Sequence, residues 1–196
     1  MRLASFLAAP ALALIVAACG QSAPQPAPTP AKPEVTPSPQ PAPASKPSLA
    51  LDPEGVRLVS ESGSTSLLAF DRPTEDVVQV LTRLLGAPAN RVVNSDCGAG
   101  PTEIVQWSDG FSALFLDAKF TGWSVDRESA DLLTTMNGVG VGSTQAELAG
   151  AFSDFKVEET TLGQEFSAGG YYGILDKAGA DGRVETMWAG TSCVFR

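Results

Sequence analysis

Proline placement constrains this chain more than any other feature: of its 15 prolines, ten lie between Pro24 and Pro47. A proline offers no backbone donor and disfavours helix in the residue before it. A run such as Pro24-Gln25-Pro26-Ala27-Pro28-Thr29-Pro30 can therefore join neither a helix nor a sheet ladder. Residues 19–50 are expected to form an extended Pro/Ala-rich, disordered tether, at about 3.1 Å per residue and at most roughly 90 Å in span. A second use for such a stretch is as a ligand for SH3-like or cell-wall-binding modules. Residues 51–196 are left to build one core, a length within the usual range for a single domain.

Ahead of the tether, Arg2 supplies a positive start, and Leu3 to Ala18 runs apolar and ends in small residues. That is the pattern of a signal peptide, assigned to residues 1–18. The run is too short for a bilayer-spanning helix and is interrupted by Pro10. Val16-Ala17-Ala18-Cys19 resembles the lipobox of bacterial lipoproteins, in which the cysteine is diacylated and becomes the mature amino terminus. The resemblance implies lipidation at Cys19, of the palmitate kind, and membrane attachment through that anchor. Gly20 and Gln21 follow without an aspartate, which implies sorting to the outer membrane, facing the periplasm. Two or three acyl chains, at about 0.8 kcal/mol per buried methylene, make such attachment long-lived.

Charge narrows the partners. Residues 51–196 carry 10 Lys+Arg against 21 Asp+Glu, and the chain has no histidine. An acidic surface repels phosphate backbones and anionic headgroups, so no nucleic acid is expected. Without histidine the commonest neutral-pH base and transition-metal ligand is missing, so no metal, cofactor or catalytic trio is expected. Once Cys19 is assigned to lipid, Cys97 and Cys193 are the one pair available to an oxidising compartment. They are expected to form a structural disulfide, buried thiols being the alternative. No Cys-x-x-Cys spacing or basic neighbourhood suggests redox chemistry.

The apolar pattern predicts an α+β domain. Val56–Ser60 and Ser66–Phe70 read as a hairpin about Ser62-Gly63-Ser64. Val77, Val78, Leu81, Leu84 and Leu85 repeat at helical spacing, with Pro73, Glu75 and Asp76 suited to the first turn and Gly86 and Pro88 to the stop. Strand-like runs follow at 91–97, 103–108, 111–117 and 119–125, with Asp109-Gly110 as a turn. Thr144 and Glu147 fit a capping box, opening a second helix with Leu148, Phe152 and Phe155 near one face. Further strands are expected at 156–161, 171–176, 184–189 and 193–195, with a turn at Asp181-Gly182. The expected architecture is an antiparallel sheet with about two helices packed on it, in two degenerate helix-then-strands repeats.

Two segments resemble a known superfamily. Gly142-Ser143-Thr144-Gln145-Ala146-Glu147-Leu148 resembles the helix start, and Leu84-Leu85-Gly86-Ala87-Pro88 the helix end, of the SmpA/OmlA (BamE) lipoproteins and the β-lactamase-inhibitor-protein-like superfamily. The resemblance implies helices preceding antiparallel strands, sometimes in tandem. Each half carries part of the motif: the second lacks the Leu-Gly-x-Pro stop and the first the Gly-x-Thr start.

Candidate sites are few. The glycines from Gly138 to Gly142 stand before a helix but lack the lysine and spacing of a phosphate loop. Asp176 to Glu185 holds acids around a turn, with Ala178 and Ala180 where calcium would need oxygens. Asp109 with Asp117, or Glu158 with Glu159, are the carboxylate pairs open to a hydrolase reading. Trp107, Phe111, Phe115, Phe120, Trp123, Tyr171, Tyr172 and Trp188 lie on or beside expected strands, where a sheet core needs them. Of these, Trp107, Trp123 and Trp188 are the candidates for a partner-binding face. The expected role is a non-catalytic envelope lipoprotein that binds or scaffolds a protein partner. The rival readings are a periplasmic inhibitor or small-ligand binder, and a hydrolase using acidic residues.

Overall fold

The structure is a computed structural model that describes residues 46–130 and 132–194. The segments read above as signal peptide and tether, with Cys19, lie outside the described residues as far as residue 45. The fold is mixed α+β and strand-rich, with a larger sheet than a reading from helical and alternating patterns suggests.

Three strands come first: β1 (Ser48–Asp52), β2 (Gly55–Val59) and β3 (Thr65–Ala69), an antiparallel meander that forms its own small sheet. β1 takes in Ser48, Leu49 and Ala50, which composition had assigned to the tether. Its partner explains it, because Leu49 sits opposite Leu58 and Leu51 opposite Val56. Leu51 and Val56 are both fully buried. The expected hairpin is β2 and β3.

Helix α1 (Thr74–Leu85) follows Pro73, carries Glu75 and Asp76 in its first turn and Arg83 in its last, and buries Val77 and Leu81. This arrangement matches the macrodipole. Four strands then form a meander: β4 (Asn90–Asn94), β5 (Thr102–Gln106), β6 (Phe111–Leu116) and β7 (Lys119–Val125). The β6–β7 turn holds Asp117 and Ala118 at φ 51° and 58°, the left-handed pair a two-residue hairpin requires, here without glycine.

Helix α2 (Gln145–Ala151) opens on the expected capping box: the Glu147 amide donates to Thr144 Oγ1 at 3.2 Å, and the Thr144 amide donates to Glu147 Oε2 at 2.7 Å. It is shorter than expected. Phe152 caps it and Phe155 lies beyond it, both half-buried, so only Leu148 of the expected face is a helical core residue. A second meander follows: β8 (Lys156–Thr160), β9 (Gly163–Ala168), β10 (Tyr171–Leu175) and β11 (Val184–Gly190). β9 was not expected, because Gly163-Gln164-Glu165-Phe166-Ser167-Ala168 has little β propensity; its register comes from burying Phe166 and Ala168 on one face. Cys193 and Val194, expected in a strand, are in none.

The two meanders join through their last strands, giving the antiparallel order β4-β5-β6-β7-β11-β10-β9-β8. The element order α1 then four strands is thus followed by α2 then four strands, the two meanders meeting at β7 and β11. One face of this sheet is the core. Trp123 at its centre is flanked across the strands by Ala113 and Ala189, which leave room for the indole, and Met187, Val125, Phe111, Phe115 and Phe166 extend the layer. The small sheet packs on this inner face. Trp123 Nε1 donates to Asp52 O at 2.9 Å and Tyr171 Oη donates to Leu51 O at 3.2 Å, so two neighbouring carbonyls of β1 are held by the large sheet. Burial, and secondly the Asp52 charge, push the Tyr171 phenol well above its ordinary pKa, so it stays a donor.

The capping box yields a first expected result. Thr144→Ala should cost about 1 kcal/mol. The Glu147 carboxylate is held below its usual pKa by the Thr144 amide first and the Thr144 hydroxyl second. Its contribution is therefore present above the unfolded-state pKa and lost as pH falls through the lower folded value. Thermal melts of Glu147→Gln against the parent should differ at neutral pH and converge in acid; a difference that grows in acid would contradict the assignment.

Candidate functional site

Because side chains directly opposite in an antiparallel pair point to the same face, the registers define rows across the sheet. On the outer face one row runs through every strand: Asn90, Gln106, Ser112, Ser124, Trp188, Tyr172, Ser167 and Lys156. Beside it runs an apolar row of Val92, Ile104 and Leu114, ending at Gly122. On the other half lie Thr186, Ile174, Glu165 and Glu158. Neither helix nor the small sheet lines this face; its cover among the described residues is the chain after β11.

That cover is built by glycine and cystine. Gly190 takes a left-handed φ of 71°, and a side chain on Gly122 would strike the Thr191 carbonyl, with 2.0 Å between its Cβ and that oxygen. The chain therefore leaves β11 at a sharp turn and crosses the outer face directly over Gly122. The Thr191 amide donates to Thr121 O at 2.7 Å. Ser192, Cys193 and Val194 then line a hollow of about 220 Å³ together with Ile104, Leu114, Ser112, Ser124 and Trp188. Cys193 bonds to Cys97 in the β4–β5 connection, so the disulfide fixes the tail across β7, β6 and β5. Cys97 is buried.

A larger hollow of about 350 Å³ lies on the β8–β10 side of the same face, lined by Lys156, Glu158, Thr160, Glu165, Phe166, Ser167 and Tyr172. Glu158 and Glu165 are direct cross-strand partners on this face. Glu165 is buried, whereas Glu158 is exposed. Tyr172 stands at the rim and is 41 % exposed.

The three tryptophans singled out by sequence do not share a surface. Trp107 is buried at the β5–β6 turn, where its Nε1 donates to Gly86 O at 3.0 Å and ties down the end of α1. Trp123 is the centre of the core. Trp188 alone belongs to the outer face, and at 5 % exposure it is the floor beneath the tail rather than an accessible ring. Tyr172, opposite Trp188, is the aromatic that reaches solvent. Alternation along Tyr171-Tyr172 signals that one of the two faces outward; which one follows only from the register.

The other candidates resolve into structure. The amides of Gln145 and Ala146 donate to Gly182 O and Ala180 O, so the glycine-rich entry to α2 offers those donors to the β10–β11 connection. Asp176 Oδ1 accepts from the Arg183 amide at 2.7 Å across that connection. Asp109 and Asp117 flank opposite ends of β6, roughly 20 Å or more apart. Glu158 and Glu159 point to opposite faces of β8. Among the described residues, no three His, Cys, Asp or Glu side chains gather as they would to hold a metal ion. No helix among them is long and apolar enough to cross a membrane.

Comparison with protein-family models, with curated proteins and with solved structures finds no match to this chain.

Proposed function

We propose that this chain is an envelope lipoprotein, anchored through Cys19 and held off the outer membrane by its proline-rich tether, whose domain binds a protein partner on the outer face of the eight-stranded sheet. The anchor rests on the lipobox-like Val16-Ala17-Ala18-Cys19. The binding role rests above all on one observation: the outer face carries an exposed Tyr172 beside a hollow walled by Glu158 and Glu165, on a sheet whose opposite face carries the core. A basic partner suits it. The domain's excess of 21 acids over 10 bases steers such a partner in. The hollow's charged and hydroxylic walls favour this reading over a small apolar ligand. Helix-then-four-strands occurring twice supports the finer reading that the halves are degenerate repeats of the kind the SmpA/OmlA-like and β-lactamase-inhibitor-like resemblance implies.

A photo-crosslinking residue placed at Tyr172 of the full chain, in intact cells, should give one discrete adduct, weakened by Glu158→Lys and absent when the probe is moved to exposed Arg83 on α1. Cys19→Ser should shift the chain from the membrane to the soluble fraction. Equal adducts from positions 172 and 83, or turnover of a substrate lost in Glu158→Gln, would refute the binding role; membrane retention of Cys19→Ser would refute the anchor.

A further inference from the structure

β4 and β8 are the two edges of one sheet, yet the edges are built differently. β8 reads Lys156-Val157-Glu158-Glu159-Thr160, and its charges discourage a further strand. β4 reads Asn90-Arg91-Val92-Val93-Asn94, and its one charge is already engaged. The Arg91 guanidinium donates to Glu75 Oε1 at 2.7 Å and also to Glu103 Oε1. Val92 and Val93 are 45 % and 59 % exposed, two of only five large apolar side chains so exposed among the described residues. β5 is the sole sheet neighbour of β4 among those residues, which leaves one side of its backbone open.

We infer that β4 pairs with β4 of a second copy, antiparallel about a two-fold axis through Val92, fusing two eight-stranded sheets into one. A partner strand must supply matching faces, and the strand's own near-palindrome does so. Centred on Val92, each Asn90 faces Asn94 of the other copy and each Arg91 faces Val93, while Val92 meets Val92. This register keeps outer residues with outer residues. The apolar row Leu114-Ile104-Val92 then continues without a break into Val92-Ile104-Leu114 of the second copy. Shifting the centre to Arg91 opposes two guanidinium groups, and slipping the pairing register by one residue, so that Arg91 faces Val92, sets an outer side chain against an inner one.

Charge selects the same edge. Residues 51–196 hold 21 acids against 10 bases, so two copies repel over most of their surface. β4 has no acidic residue, whereas β8 has two. This pairing uses the sheet edge and is independent of the outer-face partner proposed above.

The test uses the full chain in its membrane. Val92→Cys should form a disulfide-linked dimer under mild oxidation, because directly paired residues lie about 4.5–5.5 Å apart at Cα, within disulfide reach. Val93→Cys should not link to itself, being displaced by two residues from its own copy. Both positions are exposed, so the substitutions leave the core intact, and peptide mapping locates the bridge away from Cys97 and Cys193. A Val92→Cys dimer bridged 92 to 92, in clear excess over Val93→Cys, supports the inference. Equal linking of the two, no dimer, or a bridge from residue 92 to an unrelated protein overturns it, and none of these outcomes alters the Tyr172 adduct.

Discussion

Replacing Cys97 and Cys193 together by serine should lower the stability of the domain by about 4–5 kcal/mol, one of the two largest effects expected of any change to this chain. The bridge spans 96 residues, nearly the whole of the large sheet, so it removes a great deal of freedom from the unfolded chain. For a domain of this size the corresponding fall in melting temperature is roughly 10–15 °C. A second consequence is local. Among the described residues, the tail from Thr191 to Val194 is otherwise held by the backbone bond from Thr191 to Thr121 and by contact with Ile104, Leu114 and Trp188. Its release should bare Leu114 and Trp188, now 4 % and 5 % exposed, and raise the binding of a hydrophobic dye before global unfolding begins. Parallel melts of the parent with and without a strong reductant provide the check. A melting temperature that moves by less than about 2 °C would mean that the bridge contributes little to folding, and the tail would then have to be held by packing alone.

The legibility of this fold follows the kind of signal each element carries. α1 and the α2 start were readable because their cues are local: apolar spacing from Val77 to Leu85 and the Thr144–Glu147 box need no partner to be recognised. Turns at Asp109-Gly110 and Asp181-Gly182 were readable for the same reason. β1 and β9 were not, since Ser48–Asp52 looks like the end of the tether and Gly163–Ala168 has little β propensity and no regular alternation; each is a strand because of what it pairs with. The candidate site shows the same division. Cys97 and Cys193 were a pair by elimination, but tryptophan enrichment could not distinguish an inner from an outer face, and two of three named rings went inward. A single step of register decides that outcome, so Trp188 and Tyr172 share a row that no spacing in the sequence displays.

Trp123→Ala should cost about 3–5 kcal/mol, because it empties the centre of the core and unlinks the small sheet from the large one at once. The indole is fully buried between Ala113 and Ala189, whose small side chains cannot move in to fill the space. Its Nε1 proton also satisfies Asp52 O, and Trp123→Phe separates the two effects by keeping most of the volume while leaving that buried carbonyl without its donor. That variant should lose about 1–3 kcal/mol. Tyr171→Phe removes the neighbouring bond to Leu51 O and should cost less, since its 3.2 Å bond is the longer of the two. Because both donors hold adjacent carbonyls of β1, the double variant should depart from additivity, the second loss adding little once β1 has loosened. Urea unfolding gives the energies, and hydrogen exchange at the Leu51 amide, which donates to Thr134 O at 2.8 Å, reports whether β1 opens ahead of the rest. If Trp123→Phe changes stability by no more than about 0.5 kcal/mol and leaves that exchange untouched, the bond to Asp52 is incidental and apolar packing alone joins the two sheets.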